Sequence, residues 1–312
     1  MSQPPLPACD VVVIGSSNID MTVRCRELPL PGQTILGESF VTTPGGKGAN
    51  QAVAAAKCGA KTQLIARLGN DVFAEVSQAS YQEAGLGTDY VVRDENTASG
   101  VALIFVDHRG ENEIVVAPGA NMKLRPQDVE AARPLIESAR VMILQLEIPM
   151  DTVVRAVELA IENHTKVILN PAPARVLPAA LLQKVDILVA NETEVLVLTG
   201  ADDVNVSNAA AACKPLLDAG VESVITTLGK DGALITAGVG ATRVPGFKVQ
   251  AVDTTAAGDT FTGALGAALA EGKPLEEAVH FANAAAALAC TVHGAQVSIP
   301  TRAQVDAKLA GM

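Results

Sequence analysis

The chain has 312 residues, of which 49% are hydrophobic and only 3% aromatic, and its formal net charge is -11. That length and apolar content suffice for one large α/β domain with a small appendage. The acidic balance argues against a broad nucleic-acid or anionic-membrane surface, so we expect neither partner. The N-terminal heptapeptide lacks the features of a signal peptide. A cytoplasmic location is expected, because no C-x-x-C pair occurs among the scattered cysteines Cys9, Cys25, Cys58, Cys213 and Cys290.

Helix and strand patterns alternate along most of the chain. After a first strand at 11–14, they predict a helix at 49–58, a strand at 63–68, a helix at 71–84, a strand at 141–146, a helix at 152–162, strands at 166–169 and 187–190, a helix at 207–219 and a strand at 223–227. This order predicts a doubly wound, mostly parallel, Rossmann-like α/β sheet with helices on both faces. Ligands of such sheets bind beyond the carboxyl ends of the strands.

Two stretches, 18–43 and 99–118, break this alternation. The first contains extended runs interrupted by Pro and Gly, and the second contains two apolar runs joined by a hairpin turn at 107–111. No helix is available nearby to cover these strands. They predict a small β-sheet that covers an active site as a lid or pairs with a second copy of itself. The expected organisation is a single α/β domain, residues 1–312, with this lid.

The segment 253–260, with the sequence Asp-Thr-Thr-Ala-Ala-Gly-Asp-Thr, carries the strongest chemical signal. An amphipathic helix follows it directly, with an apolar face at Phe261, Ala264, Leu265, Ala268 and Leu269. Unpaired N–H groups and the helix dipole favour an anion at a helix start. Asp259 lies among those donors, so a base would stand beside a bound phosphoryl group. The segment therefore predicts a small-molecule kinase.

A second motif, Gly-Gly-Lys-Gly-Ala-Asn-Gln at 45–51, opens another helix. Its glycines allow the backbone to approach a ligand closely, and Lys47 and Asn50 add polar side chains. It is not a Walker A loop, because position 41 is Val41 and no Ser or Thr follows the lysine. The alternative interpretation is a plain Gly-rich turn before a helix.

Four further stretches follow strands, and each has an ordinary structural alternative. Asn18 and Asp20 offer donors and acceptors for a polyhydroxylated sugar, or they belong to a turn. Glu147 is either a ligand-binding carboxylate or a surface charge at a strand end. Asn191 contacts a ligand or simply caps a helix. The segment 227–232 is either the wall of a nucleotide site or an ordinary turn.

Taken in order, these motifs resemble the ribokinase group of the PfkB carbohydrate-kinase family, from about residue 9 to 300. The segment 253–259 is similar to the C-terminal signature of the family, and 45–51 is similar to the N-terminal one. The match also includes, in the family's order, Asn18, Asp20, 170–175 and 191–194. Many relatives carry Gly where this chain has Ala256. Since the resemblance requires only a backbone N–H there, we expect Ala to be tolerated.

The resemblance implies transfer of the ATP γ-phosphoryl group to the 5-hydroxyl of D-ribose. Asp259 would be the general base, and the anion hole would consist of backbone N–H groups. These N–H groups belong to Ala256, Ala257, Gly258 and Asp259. The implied sugar-binding set is Asn18, Ile19, Asp20, Gly46, Lys47, Gly48, Ala49, Asn50, Glu147 and Asp259. The implied nucleotide-binding set is Asn191, Thr227, Leu228, Gly229, Lys230, Asp231, Gly232, Gly258, Asp259 and Asn283.

The resemblance also implies two cations and a partner. Glu194 is similar to the carboxylate that organises Mg²⁺ and its waters in the family. An activating K⁺ would lie beside the anion hole, held by Asp253, Thr255, Ala289, Val292, Gly294 and Ser298. The lid would pair with that of a second copy in a homodimer.

Three alternatives remain open from the sequence. A kinase of the same family could act on deoxyribose, fructose or adenosine, and the low aromatic content argues only mildly against a nucleoside. A dinucleotide-dependent oxidoreductase would share the parallel sheet, but Gly-x-Gly-x-x-Gly is missing after the first strand. A non-catalytic sugar-binding regulator is disfavoured by the presence of Asp259 and Gly258.

Overall fold

The computed structural model describes residues 9–311, so the N-terminal heptapeptide discussed above lies outside the described residues. The strands are β1 (Val11–Ile14), β2 (Asn18–Arg24), β3 (Ser39–Gly45), β4 (Thr62–Gly69), β5 (Gly87–Asp94), β6 (Gly100–Val106), β7 (Asn112–Ala117), β8 (Val141–Leu144), β9 (Lys166–Leu169), β10 (Ile187–Asn191), β11 (Ser223–Thr227), β12 (Ala233–Ala237) and β13 (Gly240–Val244). The helices are α1 (Lys47–Lys57), α2 (Val72–Glu83), α3 (Pro126–Ala131), α4 (Arg133–Ser138), α5 (Met150–Glu162), α6 (Ala179–Leu182), α7 (Glu192–Thr199), α8 (Ala209–Ala212), α9 (Lys214–Asp218), α10 (Ala257–Ala270), α11 (Leu275–Ala289) and α12 (Arg302–Ala310).

The main sheet has nine strands in the order β13-β12-β11-β10-β9-β8-β1-β4-β5. The pairs from β11 across to β5 are parallel, whereas β12 and β13 add an antiparallel edge. The predicted mostly parallel sheet is therefore confirmed. The strands β5, β12 and β13 lie in segments for which the sequence pattern predicted nothing.

Apolar side chains on the internal strand β1 point to both faces of this sheet. In β1, Val11 and Val13 pack in one core layer with α1, α10 and α11, while Val12 and Ile14 pack in the other with α4 and α5. A strand buried on both faces needs a continuous apolar run, and 11–14 is one. Helices on both faces make the fold doubly wound, as predicted.

Two predicted elements end or break earlier than expected. The helix at 207–219 is divided into α8 and α9, because Pro215 near the start of α9 has no N–H for an uninterrupted helix. The strand β8 ends at Leu144 rather than at 146. Beyond that point, the Leu146 N–H donates to the Ala172 carbonyl, and the Gln145 side chain turns to another partner described below.

Helices α1 and α10 approach each other closely because small residues line their contact. A Cβ atom built at Gly263 would lie 2.3 Å from the Gln51 backbone oxygen and 2.6 Å from the Ala54 Cβ. Only glycine fits this space without moving one helix. The contact brings the N-terminal ends of the two helices, which carry the two family-like motifs, beside each other.

The small sheet has four strands in the order β3-β2-β6-β7. Its β2–β6 pair is parallel, and its other pairs are antiparallel, with the predicted turn 107–111 joining β6 to β7. The predicted separate small sheet is confirmed. Among residues 9–311, no helix is both long and apolar enough to cross a membrane.

Candidate active site

Two cavities adjoin in front of α10, and the smaller one lies at the carboxyl-terminal edge of the main sheet. The larger, of about 840 Å³, lies between the small sheet and the segments 251–255 and 293–297. The smaller, of about 220 Å³, is lined by residues from the starts of α7 and α10. Thr254 lines both cavities, so the two spaces adjoin at the segment that precedes α10.

The start of α10 presents free backbone donors to the smaller cavity. The N–H groups of Ala256, Gly258 and Asp259 make no hydrogen bond to any described residue, whereas the Ala257 N–H donates to the Thr254 carbonyl at 3.2 Å. Ala256 precedes the helix with φ 57 and ψ 12. This left-handed conformation costs a residue with a Cβ about 1–2 kcal/mol. The free N–H groups and the helix dipole together make an anion site.

Asp259 is buried in the first turn of α10, with 8% of its surface exposed. Its Oδ2 accepts a hydrogen bond from Asn50 Nδ2 at 3.0 Å, and its Oδ1 accepts one from Gln51 Nε2 at 2.9 Å. Both donors come from α1, so the close contact of the two helices places them. The carboxylate is thereby held in one orientation beside the free N–H groups.

Lys47 is the cation of the site and stands among four carboxylates. Asp259 raises the pKa of Lys47 most, burial opposes the rise, and Glu147, Glu194 and Asp20 add to it. Lys47 therefore stays charged and balances part of this negative charge.

Asp20 lies on β2, where the small sheet meets the main domain. Burial raises the pKa of Asp20 to about 7, and the neighbouring carboxylates Glu147 and Asp259 contribute to the rise while Lys47 opposes it. Asp20 is thus a carboxyl group that changes charge near neutral pH. It lines the larger cavity together with Thr22 and Thr43.

The amide of Asn18 is oriented by a second buried amide. Asn121 Nδ2 donates to Asn18 Oδ1 at 2.7 Å, and Asn121 Oδ1 accepts from the Ser17 N–H at 2.8 Å. Because the Asn18 oxygen is engaged, its Nδ2 is the group left to donate to a ligand. Asn121 was not predicted, since it lies 103 residues from Asn18 in a short 3-10 helix.

Glu147 contacts the N-terminal end of α1. Its Oε2 accepts from Ser16 Oγ at 2.5 Å and from the Lys47 N–H at 3.2 Å, which places a carboxylate at a helix start. Its other oxygen makes no hydrogen bond to the described residues. One oxygen of Glu147 therefore holds the start of α1, and the other is free to accept a hydrogen bond from a ligand. Glu147 is not simply a surface charge at the end of a strand, which was the alternative interpretation.

Two of the glycines in 45–51 lie against backbone atoms of the β1–β2 segment. A Cβ at Gly46 would lie 2.6 Å from the Asn18 backbone nitrogen, and one at Gly48 would lie 2.5 Å from that of Ser16. Gly46 also has φ 88. These glycines therefore let the chain approach its own β1–β2 segment, and their contact with a ligand stays a prediction. In the predicted sugar set, the side chains of Ile19 and Ala49 are fully buried.

Asn191 and Glu194 form a capping box at the start of α7. Asn191 Oδ1 accepts from the Glu194 N–H at 2.8 Å, and Glu194 Oε2 accepts from the Asn191 N–H at 2.9 Å. Asn191 is therefore a helix cap, and it also lines the smaller cavity with Glu194 and Thr227. Burial is the main cause that raises the pKa of Glu194.

The remaining predicted nucleotide residues do not line the smaller cavity. Leu228 is buried in a core layer. Asp231 pairs with Arg243 at 2.9 Å. Asn283 Nδ2 donates to the carbonyl oxygens of Val244 and Pro245, each at 3.2 Å. The members of the set that lie off this cavity are Leu228, Gly229, Lys230, Asp231, Gly232 and Asn283.

Hydrogen bonds connect the two segments that are predicted to hold a monovalent cation, 253–255 and 289–298. Asp253 Oδ2 accepts from the Gly294 N–H at 2.9 Å, and Asp253 Oδ1 accepts from Thr255 Oγ1 at 2.6 Å. Burial acts to raise the pKa of Asp253, but these hydrogen bonds outweigh it and lower the pKa. Within residues 9–311, no group of three or more His, Cys, Asp and Glu side chains could hold a metal ion.

The other predicted cation-site residues are Ala289, at the end of α11, and Val292, Gly294 and Ser298 on the segment that follows it. The Val292 N–H donates to the Ala289 carbonyl at 3.2 Å, and Ser298 Oγ donates to the Ala295 carbonyl at 2.8 Å. A site here would therefore consist mostly of backbone oxygens.

Several polar residues of the site were not assigned from the sequence. Gln51 and Gln145 reach the surroundings of Asp259 through hydrogen bonds, and Asn170, Thr254 and Thr262 line the smaller cavity. Their position in the sequence could have indicated two of them. Gln145 and Asn170 directly follow strands β8 and β9, at the edge of the sheet where ligands bind.

A protein-family model for the pfkB family of carbohydrate kinases matches residues 9–302. The chain belongs to this family. The ribokinase of Haemophilus influenzae is 40% identical over 94% of this chain and 95% of its own length. The deoxyribokinase of Salmonella typhi is 37% identical over 95% of this chain and 97% of its own. The solved ribokinase of Arabidopsis thaliana, complexed with ribose and ATP, superimposes with a TM-score of 0.90 at 34% identity, over 97% of this chain and 99% of that one.

Proposed function

We propose that this pfkB-family kinase transfers the γ-phosphoryl group of ATP to O5 of D-ribose and forms D-ribose 5-phosphate and ADP. The observation that carries the proposal is the position of Asp259. It stands beside the free N–H groups of α10, and two α1 amides fix its carboxylate. The ribokinase relatives support ribose as the acceptor and ATP as the donor.

Asp259 acts as the general base in this proposal. The bond from O5 to phosphorus forms while the bond from phosphorus to the ADP oxygen breaks, and the hydroxyl proton passes to Asp259. The N–H groups of Ala256, Gly258 and Asp259 stabilise the charge that grows on the transferring group. Fixed donors need no reorganisation during the reaction, so they favour the transition state over the ground state.

The sugar occupies the space between the small sheet and α1. Asn18 donates through Nδ2, Asp20 and the free oxygen of Glu147 accept hydroxyl hydrogens, and Lys47 donates from the centre of the group. Asn50 bridges to Asp259 and fixes the end of the sugar at which the chemistry occurs.

A divalent metal accompanies the nucleotide, and we propose Mg²⁺. Glu194 fits this role, because its carboxyl group lines the smaller cavity and only one of its oxygens is engaged by the capping box. Oxygen is the ligand that Mg²⁺ prefers. When bound, the metal neutralises phosphate charge, while Asn191 and Thr227 line the wall against which the nucleotide lies.

We further propose an activating K⁺ beside α10. The residues fit a hard cation, because they supply the Asp253 carboxylate and backbone carbonyls from the end of α11 and the segment after it. The proposed set is Asp253, Thr255, Ala289, Val292, Gly294 and Ser298. The K⁺ adds positive charge next to the anion hole when bound.

A cytoplasmic homodimer, in which the small sheet serves as the lid of a single domain, completes the proposal. In β2, Asp20 faces the larger cavity, so residues one position away point to the opposite face. On that face, Met21, Leu103 and Val115 are in register, and Leu103 and Val115 are 42% and 64% exposed. An apolar sheet face of this kind suits pairing with the same face of a second copy.

Phosphorylation of 2-deoxyribose is the second candidate, because a deoxyribokinase is 37% identical over nearly the whole chain. A coupled ADP-release assay over ribose, 2-deoxyribose, fructose and adenosine, with K⁺ or Na⁺, tests both. We expect the highest kcat/KM with ribose and a further increase with K⁺. The Asp259→Asn variant serves as the inactive control. ADP release that does not depend on any sugar would contradict the proposal.

A further inference from the structure

Gln51 is fully buried, and its side chain makes three hydrogen bonds that use all of its donors. Its Nε2 donates to Asp259 Oδ1 at 2.9 Å and to Asn170 Oδ1 at 3.0 Å. Its Oε1 accepts from Gln145 Nε2 at 2.6 Å. Asn170 Nδ2 in turn donates to the Val189 carbonyl at 2.9 Å. The side chain of Gln51 therefore ties the carboxylate on α10 to the ends of β8, β9 and β10.

The direction of these hydrogen bonds is set by Asp259. An ionised carboxylate only accepts, so the Gln51 amide must present Nε2 to it. Its Oε1 then faces Gln145, which must present its own Nε2. The consequence is that Gln145 Oε1 is buried without a hydrogen-bond partner among the described residues.

An unpartnered buried oxygen has a physical cost. That oxygen lies against Gly15, where a Cβ would approach it to 1.9 Å. Only a residue without a side chain permits this placement. The atom left without a partner is therefore Gln145 Oε1, two amides away from Asp259. Gln51 Nε2 still donates its hydrogen bond to the Asp259 carboxylate.

We propose that Gln51 is a positioning residue for the catalytic base, held in turn by Gln145 and Asn170. It fixes the plane of the Asp259 carboxylate, so that an oxygen atom points at the acceptor hydroxyl. This inference rests on the proposed function, because it requires Asp259 to act as the base. Gln51 itself does not line either cavity, so its contribution is made through Asp259.

The test is the pH profile of kcat, measured at saturating ribose so that the pH-dependent KM expected from Asp20 does not contribute, in the Gln51→Leu variant. Loss of a donor to the carboxylate disfavours its charged form, so the acid limb of kcat should move to higher pH. We expect kcat to fall about 10- to 100-fold while the ribose KM changes by less than about threefold, because an orienting contact to the base is lost. The charged groups that face Asp259, which are Lys47, Asp20 and Glu194, are unchanged in this variant.

Gln63→Leu is the matched control, because Gln63 is also buried and donates to a carboxylate, that of Asp89. It should lower stability without moving the acid limb. If Gln51→Leu does not fold, Gln145→Leu removes the support of Gln51 without contacting Asp259, and it should move the limb in the same direction by less.

An acid limb that stays in place in the folded variant overturns the inference, as does an equal shift in the control. Failure of the proposed function is a separate outcome, since it would appear as wild-type protein without sugar-dependent ADP release.

Discussion

The Asn50 side-chain nitrogen lies 3.0 Å from Asp259 Oδ2 and donates a hydrogen bond to it. The two residues belong to helices whose starts carry different motifs, one proposed to bind the sugar and the other proposed to bind the phosphoryl group. Their contact makes one site from two helix ends. It also means that the orientation of the carboxylate depends on how α1 packs against α10.

Removing the base should greatly reduce turnover while ribose and ATP still bind. In Asp259→Asn, the side chain keeps its shape but no longer accepts a proton, so kcat should fall on the order of 10²–10⁴-fold. Ribose and ATP affinities, measured by calorimetry, should stay close to those of the wild type. Near-wild-type turnover in the steady-state assay would show that another group takes the proton.

Ala256 offers a test of backbone strain beside the anion site. Its left-handed conformation costs about 1–2 kcal/mol, and glycine relieves this while adding about 0.4–1 kcal/mol of unfolded-state entropy. We expect Ala256→Gly to raise the free energy of unfolding by about 0.5–1 kcal/mol in urea titrations. The kcat should change little, because the N–H is retained.

Ala267→Gly, in the interior of α10, is the control for the Ala256 prediction. It should destabilise the protein by about 1 kcal/mol or more, because glycine is unfavourable inside a helix. Equal destabilisation by the two substitutions would mean that position 256 carries no strain.

Asp20 should make sugar binding depend on pH. Its pKa is raised from 3.8 to about 7, so ionising it in the folded protein costs stability. That cost is absent below the unfolded pKa, grows as pH rises and is complete above about pH 7. Because the ionised form accepts more hydroxyl hydrogens, the ribose KM should fall as pH rises through this range.

The check is the ribose KM at one pH unit below and one above pH 7, in the wild type and in Asp20→Asn. The variant should have a weaker but pH-independent KM. It should also lack the loss of stability with rising pH in thermal unfolding of the unliganded protein. A wild-type KM that does not change between these pH values would rule out this role for Asp20.

The exposed face of the small sheet should control the oligomeric state. Val115→Lys places a charge in the middle of that face, where it would be desolvated in a dimer, so light scattering should detect monomers. Val239→Lys is the control, because Val239 is fully exposed on the turn between β12 and β13. A wild-type protein that is monomeric at assay concentration would refute the proposed dimer.

The sequence predicted the parts of the site that lie in contiguous motifs. Asp259 and its neighbours could be found because the residue types and the following helix occur together. Gln51 stood inside a quoted motif, yet nothing local indicates that its amide points across to α10. Asn121 had no signal at all, because its partner Asn18 is 103 residues away.

The strands and helices were likewise predictable where a contiguous sequence pattern marks them. Buried parallel strands such as β1 are continuous apolar runs, so the central sheet was predictable from them. The half-buried edge strand β5 and the largely exposed edge strand β13 lack that pattern, and β12, although buried, has only three consecutive apolar residues before Thr236. All three strands were missed. The division between α8 and α9 could have been predicted from Pro215, whose effect on the helix is local.

The contact between α1 and α10 also has a consequence for synthesis. Gln51 and Asp259 are 208 positions apart, so at about 5–20 residues per second the ribosome needs about 10–40 s to complete the later helix. During that time, the Ala- and Gly-rich face of α1 lacks its partner and the amides of Asn50 and Gln51 lack their acceptor. The proposed catalytic centre therefore cannot assemble before α10 is made, and a nascent chain that stalls earlier has the strands of the main sheet but not the site.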